Sequence, residues 1–381
     1  MTPPTPSQAR WALGATFLLH GILIGSWVPH IPLAKERLDV GPAVFGLALL
    51  ALAGGAVCSM PTAGVLINRY GSARLTGVTG ILFCLTFFGP ILAPTLPLFI
   101  VAGFAMGMMI GSMDVAMNAH GIAVEKALRL PTLSMFHGLF SVGGMTGAFL
   151  GAALLKLYGE LPQAAITSAL CLSIQLAAMC YYLPAYADKG LSGSHFAWPT
   201  RATIGLGLLC FLALMIEGSI LDWGAIMMRE KFLVDASFAA LAFGFYQGGM
   251  SISRLTGDWI RKQVGAVRMV TVSALMAAAG TAVALVVPSP WVAIVAFVFA
   301  GLGIGNVAPV LFAGGGRLEP DAPGRGIAAV TTLGYSGFLC GPPLIGFVAE
   351  VSSLPAALFL TVAAALIIAA FARSVQAADT F

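Results

Sequence analysis

Apolar runs of about 20 residues recur along the whole chain, with short polar breaks between them. As a helix, a run of that length spans the hydrocarbon core of a bilayer, about 30 Å thick. Hydrophobic residues make up 59% of the 381 residues and charged residues 9%, against about 25% charged in soluble domains. The runs are too long and too uniformly apolar for the strands of a transmembrane β-barrel. The sequence therefore predicts an all-α integral membrane protein.

The apolar runs predict twelve transmembrane helices. Their approximate bounds are 11–34, 42–66, 74–93, 96–120, 132–155, 163–184, 201–227, 237–255, 267–287, 290–315, 326–349 and 355–372. Twelve spans place both termini on one side of the membrane. When that side is the cytoplasm, most of the 19 basic residues fall inside, as the positive-inside rule requires. We expect a multi-pass protein of the cell inner (plasma) membrane with both termini cytoplasmic.

The longest hydrophilic break lies after the sixth span and divides the chain into two halves. We expect an N-terminal six-helix bundle over residues 1–184, a cytoplasmic linker over 185–200 and a C-terminal six-helix bundle over 201–381. A division of this kind favours an internal repeat at half the chain length.

Matching residues support such a repeat. A shift of 194 residues places Gly71 on Gly265, and a shift of 198 residues places Gly107 on Gly305. The predicted architecture is two pseudo-symmetric six-helix bundles with a site between them near the midplane of the bilayer.

The break between the second and third spans carries a spaced glycine and arginine motif, formed by Gly64, Asn68, Arg69, Gly71 and Arg74. It resembles the cytoplasmic loop signature of the major facilitator superfamily, in which an acidic residue precedes the arginine and pairs with a neighbouring helix. Asn68 replaces that acid here. The corresponding loop of the second half keeps an acid and supplies Arg254, Asp258 and Arg261. The resemblance implies the major facilitator fold and two loops that act in conformational switching.

A narrower resemblance lies in the fourth, fifth and seventh spans. They read GSMDVAMNAHG over residues 111–121, FHGLFSVGG over 136–144 and EGSILDW over 217–223. Together these segments resemble the YbjJ-like and MosC-like permeases, relatives of the fucose permeases, and the resemblance extends nearly end to end. In fucose permeases the position of Asp114 is a glutamate proposed to carry the proton, and that of His137 is a polar sugar-binding residue. The resemblance implies proton-linked uptake of a sugar or polyol.

The fourth span also carries its own physical argument. A carboxyl group near the hydrocarbon core costs several kcal/mol unless it is paired or faces water, so an acid at that depth indicates function. Spacings of three and four residues place one stripe on one helical face, and its members are Gly103, Gly107, Gly111, Asp114 and Asn118. Because glycines let a neighbouring helix approach closely, we expect the stripe to face the bundle rather than lipid.

Three residues are predicted to handle the coupling proton, namely Asp114, His137 and Glu217. Burial favours the neutral form of a carboxyl group, and a nearby imidazole can share or relay its proton. A structural hydrogen bond between adjacent helices is the alternative for Asp114 and His137. Glu217 has three open roles: binding substrate hydroxyls, carrying a proton, or pairing with His20.

A cavity for a sugar or polyol needs an aromatic platform together with amide and hydroxyl partners. The candidate substrate-binding residues are His20, Trp27, His30, Asn118, Trp223, Tyr246, Gln247, Asn306 and Tyr335. Each of them can instead be a packing residue or make an interhelical hydrogen bond, and an aromatic residue near the interface also fits Trp223.

The sequence thus predicts a secondary active transporter that moves a small polar solute by proton symport with alternating access. A proton-coupled antiporter that exports drugs or metabolites is the alternative within transport. A multispanning membrane enzyme is a remote alternative, because the protease-like motif around Ser336 has no histidine after it in the chain.

We therefore expect no enzymatic activity, no cofactor, no metal and no nucleic-acid partner, with protons as the coupling ion. The expected partners are the lipid bilayer and the solute, and the expected functional unit is a monomer. The sequence leaves open the identity of the solute, the direction of transport and the stoichiometry.

Overall fold

The computed structural model describes residues 4–185 and 197–379, which are mostly α-helical and contain no strand. A helix satisfies its own backbone hydrogen bonds, which makes it suited to a medium without water. Residues 186–196 of the predicted linker, 185–200, lie outside the described residues.

Among the described residues, the first half of the chain forms eight α-helices. They are α1 (Pro6–Trp27), α2 (His30–Leu38), α3 (Pro42–Tyr70), α4 (Ser72–Thr86), α5 (Phe88–Leu92), α6 (Leu96–Leu128), α7 (Leu133–Tyr158) and α8 (Glu160–Met179). A capping box between Thr5 and Gln8 begins α1. The first predicted span divides into α1 and α2 beside Pro29, which lacks the backbone N–H that a continuous helix would use.

The second half forms seven α-helices and a terminal 3-10 helix. They are α9 (Ile204–Phe232), α10 (Ala236–Val264), α11 (Ala266–Val286), α12 (Pro290–Ile304), α13 (Val307–Leu318), α14 (Pro323–Val351) and α15 (Leu354–Ala370), followed by the 3-10 helix Ala372–Asp379. The tenth predicted span divides into α12 and α13 at Gly305 and Asn306.

Each predicted span corresponds to helix in the structure. Ten helical stretches of the described residues are long and apolar enough to cross a bilayer, or eleven when the bent pair at the C-terminus counts as one span. Side chains such as Val101 and Leu157 are 66% and 70% exposed, which suits lipid and would be costly in water. The prediction of an all-α membrane protein is confirmed.

Contacts divide the described residues into two compact units. Unit 1 contains the residues up to 185 except Val40–Leu50, and unit 2 contains Val40–Leu50 and the residues from 197 onward. The first turns of α3 therefore cluster with unit 2. Inside unit 1, α1 packs on α7 and α8, and α4 packs on α6 and α8. Inside unit 2, α9 packs on α14 and α15, and α11 packs on α12 and α15.

The two units repeat at a single offset of 194 residues. Gly71 precedes α4 with φ 87°, and Gly265 precedes α11 with φ 79°, a left-handed backbone that glycine adopts readily. The matches at 198 residues were wrong, since the structural equivalent of Gly107 is Gly301 and not Gly305. Gly107 lies against the backbone of Leu52 just as Gly301 lies against that of Tyr246.

Candidate functional site

A partly buried ion pair lies in unit 2. The Glu217 carboxylate, halfway along α9, is 3.4 Å from Nη2 of Arg254 on α10. The two side chains are only 15% and 13% exposed. A pair at that depth compensates two charges that would each be costly alone, and it links the two helices electrostatically.

The ion pair borders the break in the tenth span. Arg254 Nε donates a hydrogen bond to the carbonyl oxygen of Gly305 at 3.3 Å, where α12 ends. A cation suits this position, because the last carbonyl groups of a helix carry partial negative charge. Asn306, in the break itself, donates through Nδ2 to the carbonyl oxygen and to Oγ of Ser253 at 2.5 and 2.7 Å. Discontinuous helices of this kind line binding sites in many transporters.

Two further polar side chains of α10 lie deep in unit 2. The Tyr246 hydroxyl and Gln247 Oε1 are buried and have no hydrogen-bond partner among the described residues. Tyr246 and Gln247 precede Arg254 on α10 by eight and seven residues, which is about two helical turns. Unsatisfied buried polar groups are uncommon and call for an explanation, and a ligand beside the ion pair would supply one.

The structure changes the expected setting of two residues. Arg254 lies well inside α10 rather than in a loop, because α10 continues to Val264, nine residues beyond the predicted end of the eighth span. Glu217 pairs with Arg254 within its own unit. The match of Gly71 with Gly265 is the signal that could have fixed the end of α10 from the sequence.

In unit 1, the glycine stripe of α6 lies against α3. A Cβ atom at Gly107 or Gly111 would collide with the backbone of Leu52 or Ala56, respectively. Farther along the same helix, Asn118 Nδ2 donates to the backbone carbonyl and to Oδ1 of Asp114 at 2.8 and 3.2 Å. Asp114 and Asn118 are both partly buried. The expected close approach at the stripe is present, and Asn118 holds the Asp114 carboxylate.

His137 lies on α7 and is exposed within unit 1. Its imidazole meets the Phe17 ring edge-on, with ring centroids 5.5 Å apart. His20 is 2% exposed and lies between Phe83 and Phe140. Its Nδ1 has no partner among the described residues.

The other candidate binding residues are scattered. Trp27 and His30 stack in unit 1 with ring centroids 6.4 Å apart, and His30 is enclosed by polar side chains of α2 and α8. Trp223 is completely buried in unit 2 against Phe45. Tyr335 stacks on Phe338 of α14. Of the nine candidates, Asn306 follows the Gly305 carbonyl that Arg254 contacts, and Tyr246 and Gln247 lie on the same helix as Arg254.

The two glycine and arginine motifs are more helical than expected. Gly64, Asn68 and Arg69 lie in α3 and Arg74 lies in α4, so that Gly71 alone forms the turn. Asp258 and Arg261 both belong to α10. Because the repeat offset is 194, the equivalent of Asn68 is Lys262, and Asp258 does not occupy the position of the family's acid.

Comparison with known proteins settles the family. The family model described as Major Facilitator Superfamily matches residues 13–210. An uncharacterised MFS-type transporter of Yersinia pestis is 34% identical over 360 residues, which cover 94% of each chain. The chain belongs to the major facilitator superfamily. It is accordingly a multi-pass membrane transporter.

Other relatives agree with this membership. The membrane protein MosC of Rhizobium meliloti is 28% identical over 97% of this chain and 90% of its own. The nucleoside transporter NupG superposes with a TM-score of 0.74 at 16% identity, over 96% of this chain and 98% of its own. The fucose–proton symporter FucP of E. coli gives a TM-score of 0.63 at 16% identity, over 96% and 97%. These two structures establish the major facilitator fold, and the predicted resemblance to MosC and the fucose permeases is confirmed.

Proposed function

We propose that this chain is a proton-coupled symporter that carries a small polar solute across the inner membrane by alternating access. The observation that carries the proposal is the Glu217–Arg254 pair, partly buried in unit 2 beside a broken span. Acidic and basic side chains at membrane depth are expensive, and they mark substrate or proton pathways more often than structural supports.

The pair suggests how proton and solute are coupled. In the structure Arg254 Nη2 donates to both carboxylate oxygens of Glu217 at 3.5 and 3.4 Å. A proton on Glu217 removes that attraction and frees donors of Arg254 for solute oxygens. Tyr246 and Gln247 supply polar groups on the same helix. In this scheme the solute and the proton each make it easier for the other to bind, which is the thermodynamic requirement of symport.

Asp114 is the second carboxyl group in the proposal. It lies on α6 of unit 1 with Asn118 as its hydrogen-bond donor. Asp114 binds and releases the driving proton, and His137 on α7 relays it. The polar character of all these groups favours a hydrophilic solute such as a sugar or polyol over an apolar drug. FucP is named as a fucose–proton symporter and NupG as a nucleoside transporter. Fucose and nucleosides are both polar solutes.

We further propose that the chain works as a monomer in the bilayer with both termini in the cytoplasm, using protons and no other cofactor. The placement of basic residues supports this orientation.

The test uses purified protein in liposomes that enclose a pH-sensitive dye. Sugars, polyols, nucleosides, amino acids and cationic drugs are added one at a time, with protein-free liposomes and Glu217→Gln protein as controls. Acidification of the interior on addition of a sugar, polyol or nucleoside supports symport. Alkalinisation driven by drugs moves the assignment to antiport, and silence with every solute contradicts the proposal for these solute classes.

A further inference from the structure

His30, the first residue of α2, lies in a cluster of polar side chains. The cluster is at the end of unit 1 that is opposite the N-terminus of α1. The imidazole is completely buried. Its Nε2 is 2.6 Å from Oε1 of Gln163, and its Nδ1 is 3.3 Å from Oε2 of Glu160. Both partners belong to the first turn of α8. The cluster is separate from Asp114 and from the Glu217–Arg254 pair.

The orientation of the Gln163 amide follows from its other contacts. Its Nε2 faces the Ser26 carbonyl oxygen at 3.4 Å and the Thr167 hydroxyl at 3.5 Å. The reverse orientation would place two carbonyl oxygens against each other, since a carbonyl group only accepts. A separation of 2.6 Å also suits a strong N–H···O bond and is too short for a bond between two nitrogens. Gln163 therefore accepts a hydrogen bond from His30 Nε2.

Arg37 fixes the charge state of Glu160. Arg37 Nη1 donates to both carboxylate oxygens at 3.2 and 3.1 Å. The rest of the Arg37 guanidinium donates to the carbonyl oxygens of Ala93 and Pro90 at 3.1 and 3.3 Å. A carboxylate held by an arginine in this way accepts hydrogen bonds and donates none. Glu160 therefore also requires a donor at His30 Nδ1.

Both nitrogens of His30 thus face acceptors, and only the doubly protonated ring has a donor for each. We propose that His30, with Glu160 and Gln163, forms a proton-binding site that ties the break between α1 and α2 to the start of α8. Trp27 stacks on the ring, and Phe87 meets it edge-on. The charged side chains that face the site are Glu160 from α8 and Arg37 from α2, while α1 and α5 present aromatic rings.

The site has a defined pH response. At lower pH the imidazolium makes both hydrogen bonds. As pH rises and the proton leaves, one ring nitrogen becomes an acceptor that faces another acceptor, and the contact between α2 and α8 weakens. This inference goes beyond the proposed function, because proton binding at His30 is measured without any transport.

His120 provides a matched control within unit 1. It is also buried, 1% exposed, but its Nε2 accepts a hydrogen bond from the backbone N–H of Leu183 at 3.2 Å. Its Nδ1 is 2.9 Å from the Ser72 hydroxyl. A ring nitrogen that accepts carries no proton, so the same reasoning predicts a neutral His120.

The test is solid-state NMR of the full chain in liposomes, with ¹⁵N in its five histidines. At neutral pH we expect His30 to show two protonated nitrogens and His120 to show one bare nitrogen. His30→Gln identifies the ¹⁵N signals of His30 as the set that this variant lacks. Glu160→Gln, whose amide can donate to Nδ1, is the second variant if the first does not fold, and it should leave one His30 nitrogen bare at neutral pH.

Two outcomes would overturn the proposal. One is a His30 ring with a bare nitrogen at all pH values at which the protein is folded. The other is a His30 ring that keeps both protons at neutral pH in Glu160→Gln. Neither outcome bears on whether a proton accompanies the solute.

Discussion

The carboxylate of Glu217 and the guanidinium of Arg254 lie 3.4 Å apart in the interior of unit 2, on neighbouring helices α9 and α10. Arg254 also donates to the backbone carbonyl of Gly305, at the point where the tenth span breaks. One arginine therefore connects an intramembrane acid to an interrupted helix. A change in the protonation of Glu217 can therefore alter the hydrogen bond that Arg254 donates to the backbone at the end of α12.

Breaking the ion pair on one side should destabilise the protein strongly. In Arg254→Met, the partly buried Glu217 keeps a charge without its partner, which costs at most about 3–5 kcal/mol. The double variant Glu217→Gln with Arg254→Met leaves no buried charge and should recover much of this loss. Thermal unfolding in detergent measures the series. A single variant as stable as the unchanged protein, or a double variant that loses the sum of both single effects, would contradict the pairing.

Asp114→Asn should abolish accumulation driven by a proton gradient and leave counterflow exchange active, since the coupling step alone needs a titrating group. The amide oxygen still accepts from Asn118, so the fold is expected to persist. Uptake into liposomes with and without a pH gradient separates the two activities. The control is Ser173→Ala, which removes an exposed hydroxyl that bonds only within its own helix. Full accumulation in Asp114→Asn would remove Asp114 from the mechanism.

The spans and the repeat could be predicted from the sequence, because both depend on local chemistry. Apolar runs of bilayer length identify helices, and Gly71 and Gly265 mark equivalent turns. The false offset of 198 residues has a physical cause. Glycines recur every four residues on the packing face of α6, so a shift of one helical turn still matches glycine with glycine.

The ion pair could not be predicted, because its partners are 37 residues apart on different helices. The break at Gly305 and Asn306 could not be predicted from the sequence either, since a glycine inside an apolar run is compatible with a continuous membrane helix. The cluster at His30 depends on Glu160, Gln163 and Arg37, which sequence reasoning did not consider. Gln163, a glutamine near the start of an apolar span, was the residue from which the sequence could have indicated this cluster.

The equivalent glycines of the two units should behave alike. Gly107→Ala and Gly301→Ala each place a methyl group against a backbone carbonyl, that of Leu52 or of Tyr246. Overpacking of this kind costs about 1–3 kcal/mol. Gly54→Ala is the matched control, since a Cβ there meets nothing within 4 Å, and its effect should be neutral or stabilising. Thermal unfolding of the three variants provides the measurement. A stable Gly301→Ala beside an unstable Gly107→Ala would contradict the common offset.

The carboxylate of Asp379 accepts a hydrogen bond from the backbone N–H of Ala266 at 2.6 Å, at the start of α11. An acceptor at a helix N-terminus typically contributes about 1 kcal/mol. Asp379→Ala should therefore lower the unfolding temperature modestly, whereas Asp379→Asn should retain most of the contribution. Equal stability of Asp379→Ala and the unchanged protein would show that this cap contributes nothing.

The sign of the charge that moves with the solute is the measurement that tests proton symport most directly. Protein-containing liposomes on a solid-supported membrane are exposed to a rapid jump of each neutral sugar, polyol or nucleoside at equal pH on both sides. The account predicts a positive inward current that Glu217→Gln and Asp114→Asn abolish. An outward current, or solute entry without any charge movement, would contradict proton symport.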